Sequence, residues 1–317
     1  MGDVNGIGPE IVIKALLQIK FSDDIRFYII GDKDVFDYHL KLLKVQQHVL
    51  DPKSERAEIK FLQNKLSDSN SFSPGKICKD AGKNSAENLY EALSLAKKEE
   101  FSGIVTAPVS KEAMWLSGIP FPGQTELISD YFCAKHFAMM LLSGSFRVAF
   151  VTTHLPLKKI PGMLSQALVE EKCRVVQKEL IDRFKIRKPV IAISALNPHG
   201  GENGKLGDEE MKIIIPAVKT LRSSGLDIRG PFPSDTLFTP PKIKKFDAFV
   251  ALYHDQGMIP IKMHGFGKAV NMTAGLPVVR TSPDHGTAFD IAGKGIADES
   301  SMVEAIKLAI ALVRQGC

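Results

Sequence analysis

The chain has 317 residues, 44% hydrophobic and 24% charged, with a net charge of +5, which gives it length enough for two domains and the composition of a globular protein. The positive excess is spread along the chain with no RNP, zinc-finger or basic-heptad pattern, arguing against nucleic acid as a partner, and no window approaches the ~20 consecutive apolar residues of a bilayer span. Cys78, Cys133, Cys173 and Cys317 are scattered without a CxxC pair, so they are expected to be reduced thiols of a cytoplasmic protein.

In chain order, "MGDVNGIGPE" lacks the basic start and apolar stretch of a signal peptide. Its Gly2, Gly6 and Gly8 precede Pro9 and Glu10, which predicts a tight turn opening a helix. The helix amides then face an anion, or the turn is a plain helix entry. Strands are expected at 26–32, 102–108, 146–154, 188–200 and 246–257, with helices at 85–100 and 168–184 between them. In the second helix, Val169, Cys173, Val176, Leu180 and Ile181 form one apolar stripe. The polar patch 62–85 is expected to be a peripheral loop or hairpin. This alternation predicts an α/β fold with a largely parallel sheet, in two domains that share a central hinge.

Ligands in such folds bind beyond the carboxyl ends of strands. Three expected strands end there in histidine: His154 in "TTHLP", His199 in "NPHGG" and His254 in "YHDQG". Three imidazoles at equivalent positions suit a catalytic divalent metal with an open coordination position. Taken singly, each reads more readily as a hydrogen-bonded loop residue, and only the three together bring the metal reading level with it. His39, His48 and His136 lack this setting and are expected on the surface or in packing. Asp235 and Asp255 stand near the same rim, able to orient a ligand histidine or accept a proton; a cap or turn role suits Asp235 as well. Lys262, Asn271 and Arg280 follow, cationic and polar groups for an anionic substrate. "GQTE" puts Gln124 and Thr125 at a helix start, and "SPDHGTAFDIAGKG" offers His285, Gly286 and Asp290 among glycines, where a nucleoside can approach the backbone.

The strings "GDVNGIGPE", "TAPVSK", "GQTE", "TTHLPL", "LNPHGGENGKLGDEE", "GPFPSDTLF", "YHDQG", "GFGKAVNMTAGLP" and "RTSPDHGTAFDIAGKG" in this order resemble the 4-hydroxythreonine-4-phosphate dehydrogenase family of pyridoxal phosphate synthesis. The resemblance implies two α/β/α domains related to those of isocitrate and isopropylmalate dehydrogenases. Residues 1–123 and 272–317 would form the cofactor-side domain, and 124–271 the domain for metal, substrate and dimerisation. The active site would lie in the interdomain cleft, near the interface of a homodimer. It further implies a zinc, magnesium or cobalt ion on His154, His199 and His254, and substrate contacts from Gln124, Thr125, Lys262, Asn271 and Arg280. NAD, or alternatively NADP, would sit on His285, Gly286 and Asp290, with Asp235, Asp255 or Lys262 as the catalytic base.

The implied reaction oxidises 4-phosphohydroxy-L-threonine to 2-amino-3-oxo-4-phosphooxybutanoate, which loses carbon dioxide to give 3-amino-2-oxopropyl phosphate. Alternatives are a threonate or erythronate 4-phosphate dehydrogenase, a metal-dependent hydrolase and a silent sugar-phosphate-binding protein. Two departures stand out. Gln124 occupies the family's histidine position, and the chain starts inside a turn that a strand precedes in the family.

Overall fold

A computed structural model of the chain describes residues 1–20, 24–46, 59–121 and 123–316; His48 lies outside them. Among the described residues there are ten strands. In chain order they are β1 Phe27–Gly31, β2 Ile59–Gln63, β3 Gly103–Val105, β4 Ala138–Ser143, β5 Phe146–Phe150, β6 Val190–Ser194, β7 Asp227–Phe232, β8 Ala248–Ala251, β9 Val270–Ala274 and β10 Val279–Pro283. The chain divides into two compact units, Met1–Cys133 with Val278–Val313, and Ala134–Pro277 with the last residues from Arg314. The divisions thus fall after Cys133 and Pro277, later than those expected after 123 and 271, and Gln124 and Thr125 belong to the unit that carries Arg280.

In the first unit, β1 runs parallel to β2, and β3 parallel to β10 with Arg280 opposite Ile104. The helix Gly8–Gln18 has Pro9 in its first turn, where a missing N–H costs nothing. It is buried on two sides. Ile7, Ile11 and Ala15 pack with Met302, Val303 and Ile306, while Ile13 and Leu16 pack with Ile29, Phe36 and Leu40. Segment 62–85 departs from the expected loop: it holds the end of β2, a short 3-10 turn at Ser69–Ser71 and the start of the helix Lys79–Lys97. That helix begins earlier than predicted because the Cys78 sulfur accepts from the Ala81 N–H at 3.4 Å. Cysteine is not one of the usual N-cap residues, so the start carries no sequence signal.

In the second unit the strand order is β9-β4-β5-β8-β6-β7. Strands β5, β8, β6 and β7 are parallel, as expected; β9–β4 and β4–β5 are antiparallel. Gly144, at φ +60°, opens the two-residue turn between β4 and β5, a backbone that favours glycine in tight hairpins. Phe146, Phe150, Phe249, Leu141 and Ile261 form the core on one face. The helix Gln166–Asp182 buries Val169, Cys173, Val176 and Leu180 as its stripe predicts. Ile181 is the exception at 37% exposed: one residue past Leu180, it is rotated about 100° round the helix.

Candidate functional site

Within the second unit the three histidines do follow the carboxyl ends of neighbouring parallel strands, β5, β6 and β8. The strand expected to run through 257 ends at Ala251. His254 is instead the first residue of the helix His254–His264, so "HDQG" is a first helical turn. The rings of His154 and His254 lie 5.7 Å apart between centroids, close enough for two imidazoles to share an ion through bonds of about 2.0–2.1 Å. Asp255 meets Nδ1 of His254 at 2.7 Å. A carboxylate there favours the Nδ1–H tautomer and leaves Nε2 as the electron-pair donor, the usual way a second residue orients a metal-binding histidine. The pair therefore supplies two of the donors that a divalent ion needs. His199 is not brought to this pair: it sits exposed on the turn Pro198–Gly201 at φ +52°. Among the described residues, no three His, Cys, Asp or Glu side chains are grouped closely enough to hold an ion.

Two side chains that sequence reasoning missed hold this rim in shape. Gln256 is buried. Its Oε1 accepts from the Leu252 N–H at 2.6 Å and from Ser194 Oγ at 2.8 Å, and its Nε2 donates to the Ala195 carbonyl at 2.6 Å and to Ser234 Oγ at 2.8 Å. One amide thus ties the ends of β6 and β8 to the short helix Ser234–Leu237, which carries the exposed Asp235. Gly257 follows because a Cβ there would stand 2.6 Å from the Phe150 ring. Glu210, also buried, accepts from the N–H groups of Leu196 and Asn197 at 2.7 and 2.8 Å and fixes the loop that leads to His199. Replacing Gln256 by leucine is expected to cost about 2–4 kcal/mol, because it strands the Leu252 N–H and the Ala195 carbonyl away from water. Urea denaturation measures this, and an unchanged midpoint would contradict the tie.

Lys262 is half-buried in the last turn of the helix His254–His264. Asn271 lies on β9, and its Oδ1 is buried without a hydrogen-bond partner among the described residues. His136 is exposed beside Glu171, and His39 is buried with Nδ1 at 2.9 Å from the Val35 carbonyl; both fit the roles expected of them.

Within the first unit Arg280 is the centre. It is 2% exposed, and its Nη2 donates to Thr106 Oγ1 and to Gln124 Oε1, each at 2.8 Å, with Nη1 at 3.5 Å from Thr125 Oγ1. Burial lowers its pKa to about 10, partly countered by Glu126, so the guanidinium is charged at neutral pH. These three acceptors are neutral. Burying a cation costs free energy that an arriving anion offsets.

The segment proposed for the cofactor is gripped from below. The Ile7 N–H donates to the Thr287 carbonyl at 2.9 Å. Buried Glu10 accepts from the N–H groups of Gly295 and Ala297, and Lys14 donates to the carbonyls of the same two residues. The glycine turn and the helix it opens therefore hold the 287–297 loop by its backbone. Glu10 was read only as part of a helix start and Lys14 went unnoticed, because an acid and a base one turn apart look like an ordinary surface pair. Above this clamp, Nδ1 of His285 lies 3.1 Å from the Gly286 carbonyl, which leaves Nε2 as an acceptor, buried and without a partner among the described residues. That orphan fits a donor group on a nucleoside. Gly286 and Asp290 are exposed on the same segment, with open space where a Gly286 side chain would go.

A model of the family "Pyridoxal phosphate biosynthetic protein PdxA" matches residues 23–309. The chain is 42% identical over 317 residues to a 4-hydroxythreonine-4-phosphate dehydrogenase of Sulfurihydrogenibium sp., covering 99% of this chain and 97% of that protein. It is 38% identical to a putative D-threonate 4-phosphate dehydrogenase of Bradyrhizobium diazoefficiens, covering 98% and 94%. Among solved structures, 4-hydroxythreonine-4-phosphate dehydrogenase from Klebsiella pneumoniae superimposes with a TM-score of 0.88 at 38% identity, covering 99% and 96%. The isocitrate dehydrogenase of Methylococcus capsulatus, at a TM-score of 0.50 and 13% identity over 99% and 84%, shares the fold alone.

Proposed function

This chain belongs to the pyridoxal phosphate biosynthetic protein family PdxA and is an oxidoreductase, and from that premise we propose that it oxidises the secondary hydroxyl of 4-phosphohydroxy-L-threonine. The product, 2-amino-3-oxo-4-phosphooxybutanoate, then decarboxylates to 3-amino-2-oxopropyl phosphate. The observation that carries this reading is the buried guanidinium of Arg280 on Thr106, Gln124 and Thr125, which suits an anionic group such as the substrate's phosphate. Lys262 and Asn271, with its orphaned Oδ1, suit the substrate's polar and anionic remainder.

His154 and His254 would hold the divalent ion, and His285, Gly286 and Asp290 the adenosine part of NAD or NADP. When bound, these groups supply a Lewis acid for the hydroxyl oxygen and a hydride acceptor. Asp255, bonded to His254, orients a ligand in this reading, which leaves Lys262 and Asp235 to take the hydroxyl proton. A homodimer belongs to the proposal as well: with His154 and His254 together in one chain, His199 of a second copy is the third imidazole the site calls for.

A second reading has its own support. Gln124 stands where the family has histidine, and a relative named for D-threonate 4-phosphate is 38% identical. The hydrolase alternative finds none among relatives that carry dehydrogenase names.

The test is the appearance of reduced cofactor with a panel of phosphorylated four-carbon acids, NAD or NADP, and magnesium, zinc or cobalt. Turnover of 4-phosphohydroxythreonine is the expected result; turnover of threonate 4-phosphate alone would replace the substrate, and none with any acid would overturn the proposal. Independently of activity, His199→Ala and His254→Ala should each lower bound metal after dialysis while the melting temperature of the metal-free protein stays put. Unchanged metal content would remove that histidine from the ligand set.

A further inference from the structure

We infer that Gln124 acts on the substrate through Arg280, as a positioning residue that aims the guanidinium and does not itself hold the anion. The inference rests on the anion-site reading above and goes beyond it by removing Gln124 from the list of substrate contacts. Gln124 opens the helix Gln124–Tyr131. Both ends of its amide are engaged with this chain: Nε2 donates to the Ala107 carbonyl at 3.1 Å, and Oε1 accepts from Arg280 Nη2 at 2.8 Å. Because a backbone carbonyl fixes which end of the amide is the donor, the oxygen has to face the guanidinium.

Arg280 leaves β10 opposite Ile104, and Thr106 follows β3 as the other acceptor of Nη2. Two oxygens, one at the end of a strand and one at the start of a helix, therefore grip the same nitrogen. They set the plane of the fork, and Arg280 Nη1 is the side that approaches Thr125. A planar fork discriminates by orientation, so its aim matters as much as its charge. An amide suits this task because its acceptor keeps its lone pairs at every pH, whereas an imidazolium would present only donors to a cation.

The variants are Gln124→Met, which keeps the length and removes both bonds, and Gln124→Glu, which keeps the acceptor and adds a charge that competes with the substrate anion. Arg280→Gln and the double variant Gln124→Met/Arg280→Gln complete the set. Each is followed by kcat and KM with the phosphorylated substrate, by calorimetric titration with inorganic phosphate, and by thermal melting.

The expected result for Gln124→Met is a KM and a phosphate Kd raised about tenfold with kcat within about threefold. Gln124→Glu should lose phosphate affinity to a greater extent while remaining folded. In the double variant kcat/KM should match that of Arg280→Gln, because a positioning residue has nothing left to position.

A further loss in the double variant would mean that Gln124 touches the substrate itself, and would overturn the inference. So would an unchanged KM in Gln124→Met while Arg280→Gln has lost phosphate binding. If Arg280→Gln binds phosphate as the parent does, the anion-site reading falls, and this inference falls with it.

Discussion

Replacing Arg280 by lysine is expected to lower kcat/KM for the phosphorylated substrate by about a hundredfold or more, while the protein stays folded. Lysine keeps the charge but not the fork. A guanidinium presents five N–H donors in one plane, whereas an ammonium is a compact, strongly hydrated point charge. At this position the difference is not diluted by water, because Arg280 is 2% exposed. In the proposed site the ammonium would have to choose among Thr106, Gln124 and the substrate anion, where the guanidinium already serves the first two at once. Hydrogen bonds to charged groups contribute about 1.5–3 kcal/mol each, so the loss of one or two corresponds to about 3 kcal/mol.

Folding should suffer less than catalysis, since the two threonine hydroxyls and the amide of Gln124 can still meet the lysine ammonium one at a time. The discriminating measurement is kcat/KM beside thermal melting for the same preparation. A KM within threefold of the parent would show that the substrate's anion does not lie on this residue.

How far the sequence revealed this molecule depends on where each signal is stored. The parallel strands β5, β6 and β8 were legible because each is a short apolar run ending in polar residues, and their histidines marked the correct ends. Strand β4, "AMMLLS", has no alternation and reads equally as part of a helix. Strand β7 carries a Gly-Pro pair that signals a turn; it is tolerated because, among the described residues, β7 pairs with β6 alone and Pro231 has no second neighbour to bond.

The site divides along similar lines. Residue types singled out His154, His254 and Arg280 as candidates, since imidazoles and guanidinium groups announce their chemistry. Gln256, Glu210, Glu10 and Lys14 act by reaching backbone groups of loops far along the chain, and nothing local reveals such a partner. Equally, the strand-end pattern could name His199 but could not say that its turn leaves it exposed and away from the other two.

The stability of the chain should fall and then rise between pH 4 and pH 8, through two buried groups at its amino end. The Met1 ammonium donates to the Ile30 carbonyl at 2.8 Å, and burial lowers its pKa from 8.0 to about 5. Burial raises Asp3 from 3.8 to about 6, against the hydrogen bonds it accepts from Asn5 and Ser110; its Oδ2 has no hydrogen-bond partner among the described residues.

Between pH 5 and 8 the unfolded chain holds a proton on Met1 that the folded chain has released, so stability rises with pH across that window. Between pH 3.8 and 6 the folded chain holds a proton on Asp3 that the unfolded chain has lost, so stability falls there and the cost is complete above pH 6. The two slopes oppose each other from pH 5 to 6. At about 1.4 kcal/mol per pK unit, the full swings are about 4 kcal/mol for Met1 and about 3 kcal/mol for Asp3. His39, also lowered by burial, is common to every variant and cancels in a comparison.

Acetylating Met1 replaces the ammonium by an amide. The acetylated protein should be more stable than the parent by about 4 kcal/mol at pH 5 and should show no rise from pH 6 to 8. Asp3→Asn should lose the fall from pH 4 to 6. Urea titrations of the three proteins at each pH decide the matter: parallel curves would mean that neither group is buried in the folded state.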